Sequence, residues 1–209
     1  QKCHFFGASA GCQHVAALAR GLPEERVGNV LFNTPLVPDC VPGVHDGVSP
    51  VMKLFKSLMG KPYIGDLIAW HCRNTPPIDL VSVSPDSKAA VLRGQKELPA
   101  ETEAFFKTLE HALKFTYRGI VDNYRVIAEP LDWLVELGKL AAKGHSIAIT
   151  SAPDDTTNPP EMQKWYQQTI TGSVMMNIEP GWGHLHLLNP DTQRRCFNFL
   201  LTGKDSFKR

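Results

Sequence analysis

Five residues near the start, Gly7-Ala8-Ser9-Ala10-Gly11, constrain the fold of this chain more than any other stretch. They follow the apolar pair Phe5-Phe6 and lead into Cys12-Gln13-His14-Val15-Ala16-Ala17-Leu18-Ala19, a run rich in small residues. The order predicted is strand, sharp turn, helix. A serine at such a turn is pushed out of the top of a sheet, where its hydroxyl can reach both a base and a substrate. Gly7 and Gly11 lack a Cβ, so neighbouring backbone can approach a residue in a strained conformation. The helix that follows points its N-terminal N–H groups and positive dipole end at the place where an oxyanion would form.

The next run, from Val27 to Pro35, is short, apolar and ended by proline, as expected of a buried parallel strand. With the turn and helix before it, it makes a βαβ unit. From Leu36 the character changes. Pro38, Pro42, Gly43, Gly47 and Pro50 mark a loop, after which the spacing predicts helices over 51–59, 64–73, 87–94, 100–115 and 117–128. The segment 36–128 is therefore expected to sit above the sheet as a helical cap. Strand and helix patterns then alternate again: a helix opening at Pro130, a strand at 146–152, a helix at 161–169, a strand at 173–178 and a final helix near 190–201. This order predicts an α/β fold with a doubly wound, mostly parallel sheet formed by 1–35 and 129–209.

Composition closes several other routes. The 209 residues are 43% apolar and 21% charged with a net charge of +1, which suits a globular core and gives no basic face for nucleic acid. No apolar run approaches the length that spans a bilayer, and no signal-peptide or other targeting pattern precedes the first strand. Cys3, Cys12, Cys40, Cys72 and Cys196 are odd in number and widely spaced, which favours buried free thiols over a disulfide framework or a zinc site. Metal-binding and nucleotide-binding motifs do not occur, so no cofactor is expected.

Acyl transfer by a serine needs a base for the hydroxyl proton and a carboxylate to hold that base in the right tautomer. On a parallel sheet both must come from loops at the carboxyl ends of strands, the edge that carries the nucleophile. Asp154 and Asp155 follow the strand ending near Ala152, and His184 follows the one ending near Ile178, just after glycines that permit a tight loop. The chain order is Ser, Asp, His.

With these residues in view the chain resembles the α/β-hydrolase superfamily in its cap-bearing branch. The likeness is carried by Gly7-Ala8-Ser9-Ala10-Gly11, by Ala152-Pro153-Asp154-Asp155-Thr156-Thr157-Asn158-Pro159 and by Gly181-Trp182-Gly183-His184. It implies a nucleophile at Ser9, a base at His184 and an oxyanion donor at the Ala10 N–H. Aligning Pro159 with the family's proline makes Asp155 the triad acid and leaves Asp154 as the alternative. It also implies several strands before the elbow, one followed by a loop that supplies the second oxyanion N–H. Only eight residues precede Ser9. The expectation is thus the C-terminal part of the fold, completed by residues upstream or by a separate polypeptide, and slow hydrolysis by the chain alone.

The function expected is hydrolysis of an ester, thioester or amide of a small, partly apolar molecule. The competing expectation is a catalytically silent, hydrolase-like accessory subunit. Trp182, His186, Trp70, Phe105 and Phe106 are candidate pocket residues, although aromatic side chains of this kind more often pack in a core.

Overall fold

The computed structural model describes residues 1–59, 61, 63–73, 104, 107 and 130–205. Four strands, β1 (Cys3–Ala8), β2 (Val27–Asn33), β3 (Ile147–Ser151) and β4 (Val174–Asn177), form one parallel sheet in the order β1-β2-β3-β4. The register aligns Gly7 with Phe32, Phe32 with Ile149 and Ile149 with Met175. Between the strands run α1 (Gly11–Gly21), α2 (Pro50–Met59), α3 (Ile64–Arg73), α4 (Leu137–Ala142) and α5 (Pro160–Thr169), and α6 (Pro190–Thr202) follows β4.

Alternation along the central strands divides the apolar side chains between the two faces of the sheet. Val30 and Phe32 of β2, with Ile147 and Ile149 of β3, pack against Val15, Ala16 and Ala19 of α1 and against Met162 and Tyr166 of α5. Leu31 and Ala148 face the other way, onto Cys196, Phe199 and Leu200 of α6. Helices therefore cover both faces, as the doubly wound reading requires. Within the described sheet β1 and β4 are the edges, and Phe6 of β1 remains 38% exposed.

The helix ends follow local chemistry. Asn189 caps α6 by accepting the Asp191 N–H at 3.0 Å, Pro190 occupies the first turn, and Gly203 closes the helix at φ +72°.

Three sequence expectations need adjustment. The helix foreseen from Pro130 opens instead as a 3-10 turn over Asp132–Glu136, tied by the Leu134 N–H to Leu131 O at 2.8 Å, before α4 begins. The loop foreseen over 179–184 ends two residues earlier, because Gly183 at φ +51° starts a 3-10 segment over Gly183–Leu188. Gly11 needs no special freedom, since a Cβ there would meet nothing within 4 Å. Close approach occurs at Gly7, where a Cβ would lie 2.8 Å from Cys12 Cα and 3.0 Å from Gly11 O. The helices foreseen at 87–94, 100–115 and 117–128, with Phe105 and Phe106, lie outside the described residues, apart from the helical positions 104 and 107.

Candidate active site

Ser9 stands between β1 and α1 with φ +52°, a left-handed conformation that costs a non-glycine residue about 1–2 kcal/mol. The surrounding backbone holds it there. Its N–H donates to Asn33 O at 2.8 Å, and its carbonyl accepts from the Cys12 N–H at 3.1 Å. Turning the chain this sharply at the carboxyl edge of β1 lifts the hydroxyl clear of the strand. No side chain caps the N-terminus of α1, and Ala10 already has helical dihedrals. The positive end of α1 thus abuts the turn that carries Ser9.

The neighbouring strand ends in a second strained residue. Thr34, at φ +40°, donates its N–H to Thr150 Oγ1 at 3.1 Å, while its carbonyl accepts from Asn158 Nδ2 at 2.8 Å. Asn158 Nδ2 also donates to Ser9 Oγ at 3.2 Å.

Asp155 lies in the loop after β3 with its side chain fully out of solvent. Oδ1 accepts the N–H groups of Thr157 and Asn158, both at 2.9 Å, and Oδ2 lies 2.8 Å from His184 Nδ1. An ionised carboxylate only accepts, so the ring proton sits on Nδ1 and Nε2 is left as an acceptor. Asp154 faces elsewhere. Its Oδ2 accepts from the Gly181 N–H at 2.8 Å and the Gly183 N–H at 3.1 Å, which pins the turn ahead of His184. Both glycines have positive φ, +106° and +51°.

Of the residues singled out from sequence, the structure joins Asp155 to His184 by a hydrogen bond, and sets Ser9 on the adjoining turn. Ser9 Oγ and His184 share no hydrogen bond in this structure. Such contacts are often long before substrate binds.

His186 is not on an open pocket wall but fully buried, and burial lowers its pKa to about 4. Its Nδ1 lies 3.1 Å from Gly183 O, and its Nε2 lies 2.7 Å from Asn33 Oδ1 and 3.4 Å from Thr150 Oγ1. Asn33 Oδ1 also accepts from the Thr150 hydroxyl at 2.8 Å. A small polar layer of Asn33, Thr150 and His186 therefore lies under the site. Trp182 is partly buried beside His184, and Trp70 on α3 is 54% exposed.

Sequence reasoning passed over Asn158, Asn33, Thr34 and Lys56. Lys56 of α2 is buried and donates from Nζ to Thr157 O at 3.2 Å; burial lowers its pKa to about 8, against the opposing pull of Asp39 and Asp155. Asn158 stands directly before Pro159-Pro160, which restricts its backbone but carries no signal for where its side chain points.

No protein-family model and no curated protein matches the sequence. Solved structures do match. An esterase from Thermogutta terrifontis superposes with a TM-score of 0.59 at 19% identity, over 97% of this chain and 65% of that one. This is the α/β-hydrolase fold. A bromoperoxidase from Bacillus anthracis has the same fold, with a TM-score of 0.57 at 17% identity over 94% of this chain and 66% of its own. An acetylester hydrolase from Corynebacterium glutamicum gives 0.58 at 14% identity, over 94% of this chain and 60% of its own. The chain thus spans less than two thirds of each of these α/β-hydrolase structures. Among the described residues no helix is long and apolar enough to cross a membrane, and no cluster of three His, Cys, Asp or Glu side chains is arranged to hold a metal.

Proposed function

We propose that the chain is a serine hydrolase acting on an ester, thioester or amide of a small, partly apolar molecule. Ser9 is the nucleophile, His184 the general base, Asp155 the group that orients the ring, and the Ala10 N–H an oxyanion donor. In the first half-reaction Oγ bonds to the acyl carbon while its proton passes to His184 Nε2. The imidazolium then returns that proton to the departing alcohol, thiol or amine. Water repeats the sequence to release the acid and regenerate Ser9.

The observation that carries this reading is the 2.8 Å contact of His184 Nδ1 with a fully buried Asp155, next to a serine held at positive φ ahead of a helix. Structural, non-catalytic roles give no reason for a strained serine beside that pair. The reading of 36–128 as a cap is part of the same proposal and rests on its described residues alone. Two bonds support it: Lys56 Nζ of α2 donates to Thr157 O, and the Ser49 N–H donates to Thr156 O at 3.1 Å, so the segment that carries Ser49 and α2 is tied to the acid loop.

One observation favours a second reading, a hydrolase-like accessory chain with an idle serine: Ser9 Oγ is engaged by Asn158 and not by His184. A fluorophosphonate probe followed by peptide mapping separates the two. Covalent labelling at Ser9 that is lost in Ser9→Ala supports the enzyme. Absence of labelling in the intact native assembly supports the accessory role. A panel of p-nitrophenyl esters of graded chain length then reads the substrate class.

A further inference from the structure

Asn158 ends the acid loop, 1% exposed, and each of its polar groups but one is committed. Its N–H goes to Asp155 Oδ1 at 2.9 Å, and its carbonyl accepts from Gln163 Nε2 at 2.7 Å. The side-chain amide faces two oxygens, Thr34 O at 2.8 Å and Ser9 Oγ at 3.2 Å. Amide nitrogen and oxygen are assigned from their partners, and here the partner decides. A backbone carbonyl can only accept, so the atom against Thr34 O is the NH₂ group, and the same group faces Ser9. Ser9 Oγ is therefore an acceptor from Asn158, and its own proton is left for another acceptor. The opposite end of the amide, Oδ1, is buried with no partner. An orphaned buried acceptor is costly to keep, and it remains because the orientation that would satisfy it would turn an oxygen toward both Thr34 O and Ser9.

We propose that Asn158 is a further catalytic residue of the Ser9 reaction, donating Nδ2–H to Oγ itself. This rests on the reading of Ser9 as nucleophile. In attack, the Oγ–H bond breaks, the proton moves to His184 Nε2 and the Oγ–carbon bond forms; the Asn158 N–H stabilises the charge that builds on Oγ before that bond is complete. In release, the carbon–Oγ bond breaks and Oγ takes its proton back from His184, with the same N–H meeting the leaving oxygen. The donor also keeps the hydroxyl proton turned away from Asn158, since an N–H cannot accept it.

The test is the rate of fluorophosphonate labelling at Ser9 between pH 5 and 9, for the chain and for Asn158→Ala, with thermal midpoints alongside. Asn158→Ala keeps the backbone N–H to Asp155, so the pH midpoint of labelling stays where it was while the plateau rate falls at least about tenfold, and up to about 100-fold, the loss expected for one hydrogen bond to a charged oxygen. A plateau reduced less than about tenfold, or a fall explained by a displaced pH midpoint, overturns the proposal while leaving Ser9 as nucleophile. If Asn158→Ala does not fold, Asn158→Asp reads the same quantity: it keeps the shape and offers an acceptor in place of the donor, so labelling must again drop by about tenfold or more. Wild-type protein that fails to label at Ser9 removes both readings together.

Discussion

Asp155 Oδ2 lies 2.8 Å from His184 Nδ1, while Oδ1 of the same carboxylate holds the N–H groups of Thr157 and Asn158. One oxygen builds the loop and the other orients the ring. Asp155→Asn separates these tasks. The amide oxygen can still accept the two loop N–H groups, but its NH₂ then faces Nδ1 and forces the ring proton onto Nε2, the nitrogen that should act as base. The expected outcome is a loss of about 10³–10⁴ in labelling or hydrolysis rate with little change in thermal midpoint, in line with the wrong-tautomer effect known for serine proteases. A rate within tenfold of wild type would count against Asp155 as the orienting acid.

Asp154 gives the opposite pattern. Its Oδ2 holds the Gly181 and Gly183 N–H groups and nothing connects it to the His184 ring. Asp154→Ala removes two charge-assisted bonds from a turn with two positive-φ glycines, for a cost of about 2–3 kcal/mol, or a midpoint lower by about 5–10 °C. Its effect on rate should be smaller than that of Asp155→Asn. The reverse ranking would transfer the acid role to Asp154.

The contrast between these two adjacent aspartates shows where sequence patterns stop being informative. Strand, turn and helix are set by local periodicity, so β1, α1 and β2 and the later alternation lie close to where spacing places them. The carboxyl-edge positions of Ser9, Asp155 and His184 follow from the same alternation, because a parallel sheet brings the loops after its strands to one side. The direction of a side chain within a loop depends on backbone dihedrals that no periodicity reports. That is why Asn158 was invisible as a partner of Ser9, and why Gly11 looked as constrained as Gly7. His186 was hard to place for a related reason: it lies on a 3-10 segment, and only the sheet packing turns it inward to Asn33 and Thr150.

That buried ring has a consequence for acid stability. His186 titrates near 4 in the fold, lowered first by desolvation, against 6.5 in the unfolded chain. Above pH 6.5 both states are neutral and the full stability is present. As pH falls from 6.5 toward 4 the unfolded chain takes a proton that the folded one refuses, so stability declines by up to about 3 kcal/mol. Urea denaturation at a series of pH values should show this slope, and His186→Gln should flatten it. Parallel curves for the two proteins would mean that the ring takes its proton in the fold as readily as in the unfolded chain.

Lys56 follows the same sign at higher pH, because a buried ammonium is likewise relieved by losing its proton. Its amine titrates near 8 in the fold, lowered by burial, although the Asp39 and Asp155 carboxylates oppose the shift. In the unfolded chain the proton is retained to about 10.5. Between these values the unfolded chain holds the additional proton, so folding stability rises with pH across that window, by up to about 3 kcal/mol. Below pH 8 both states are charged, and the desolvation cost is present in full, offset in part by the bond to Thr157 O. Lys56→Met has no such titration. The stability of wild type relative to Lys56→Met should therefore climb from pH 8 to 10.5 and stay level below pH 8. Because Thr157 belongs to the Asp155 loop, the variant should also loosen the tie between α2 and that loop, read as faster amide exchange at Thr156 and Thr157. A relative stability independent of pH would place the amine in solvent and remove the tether.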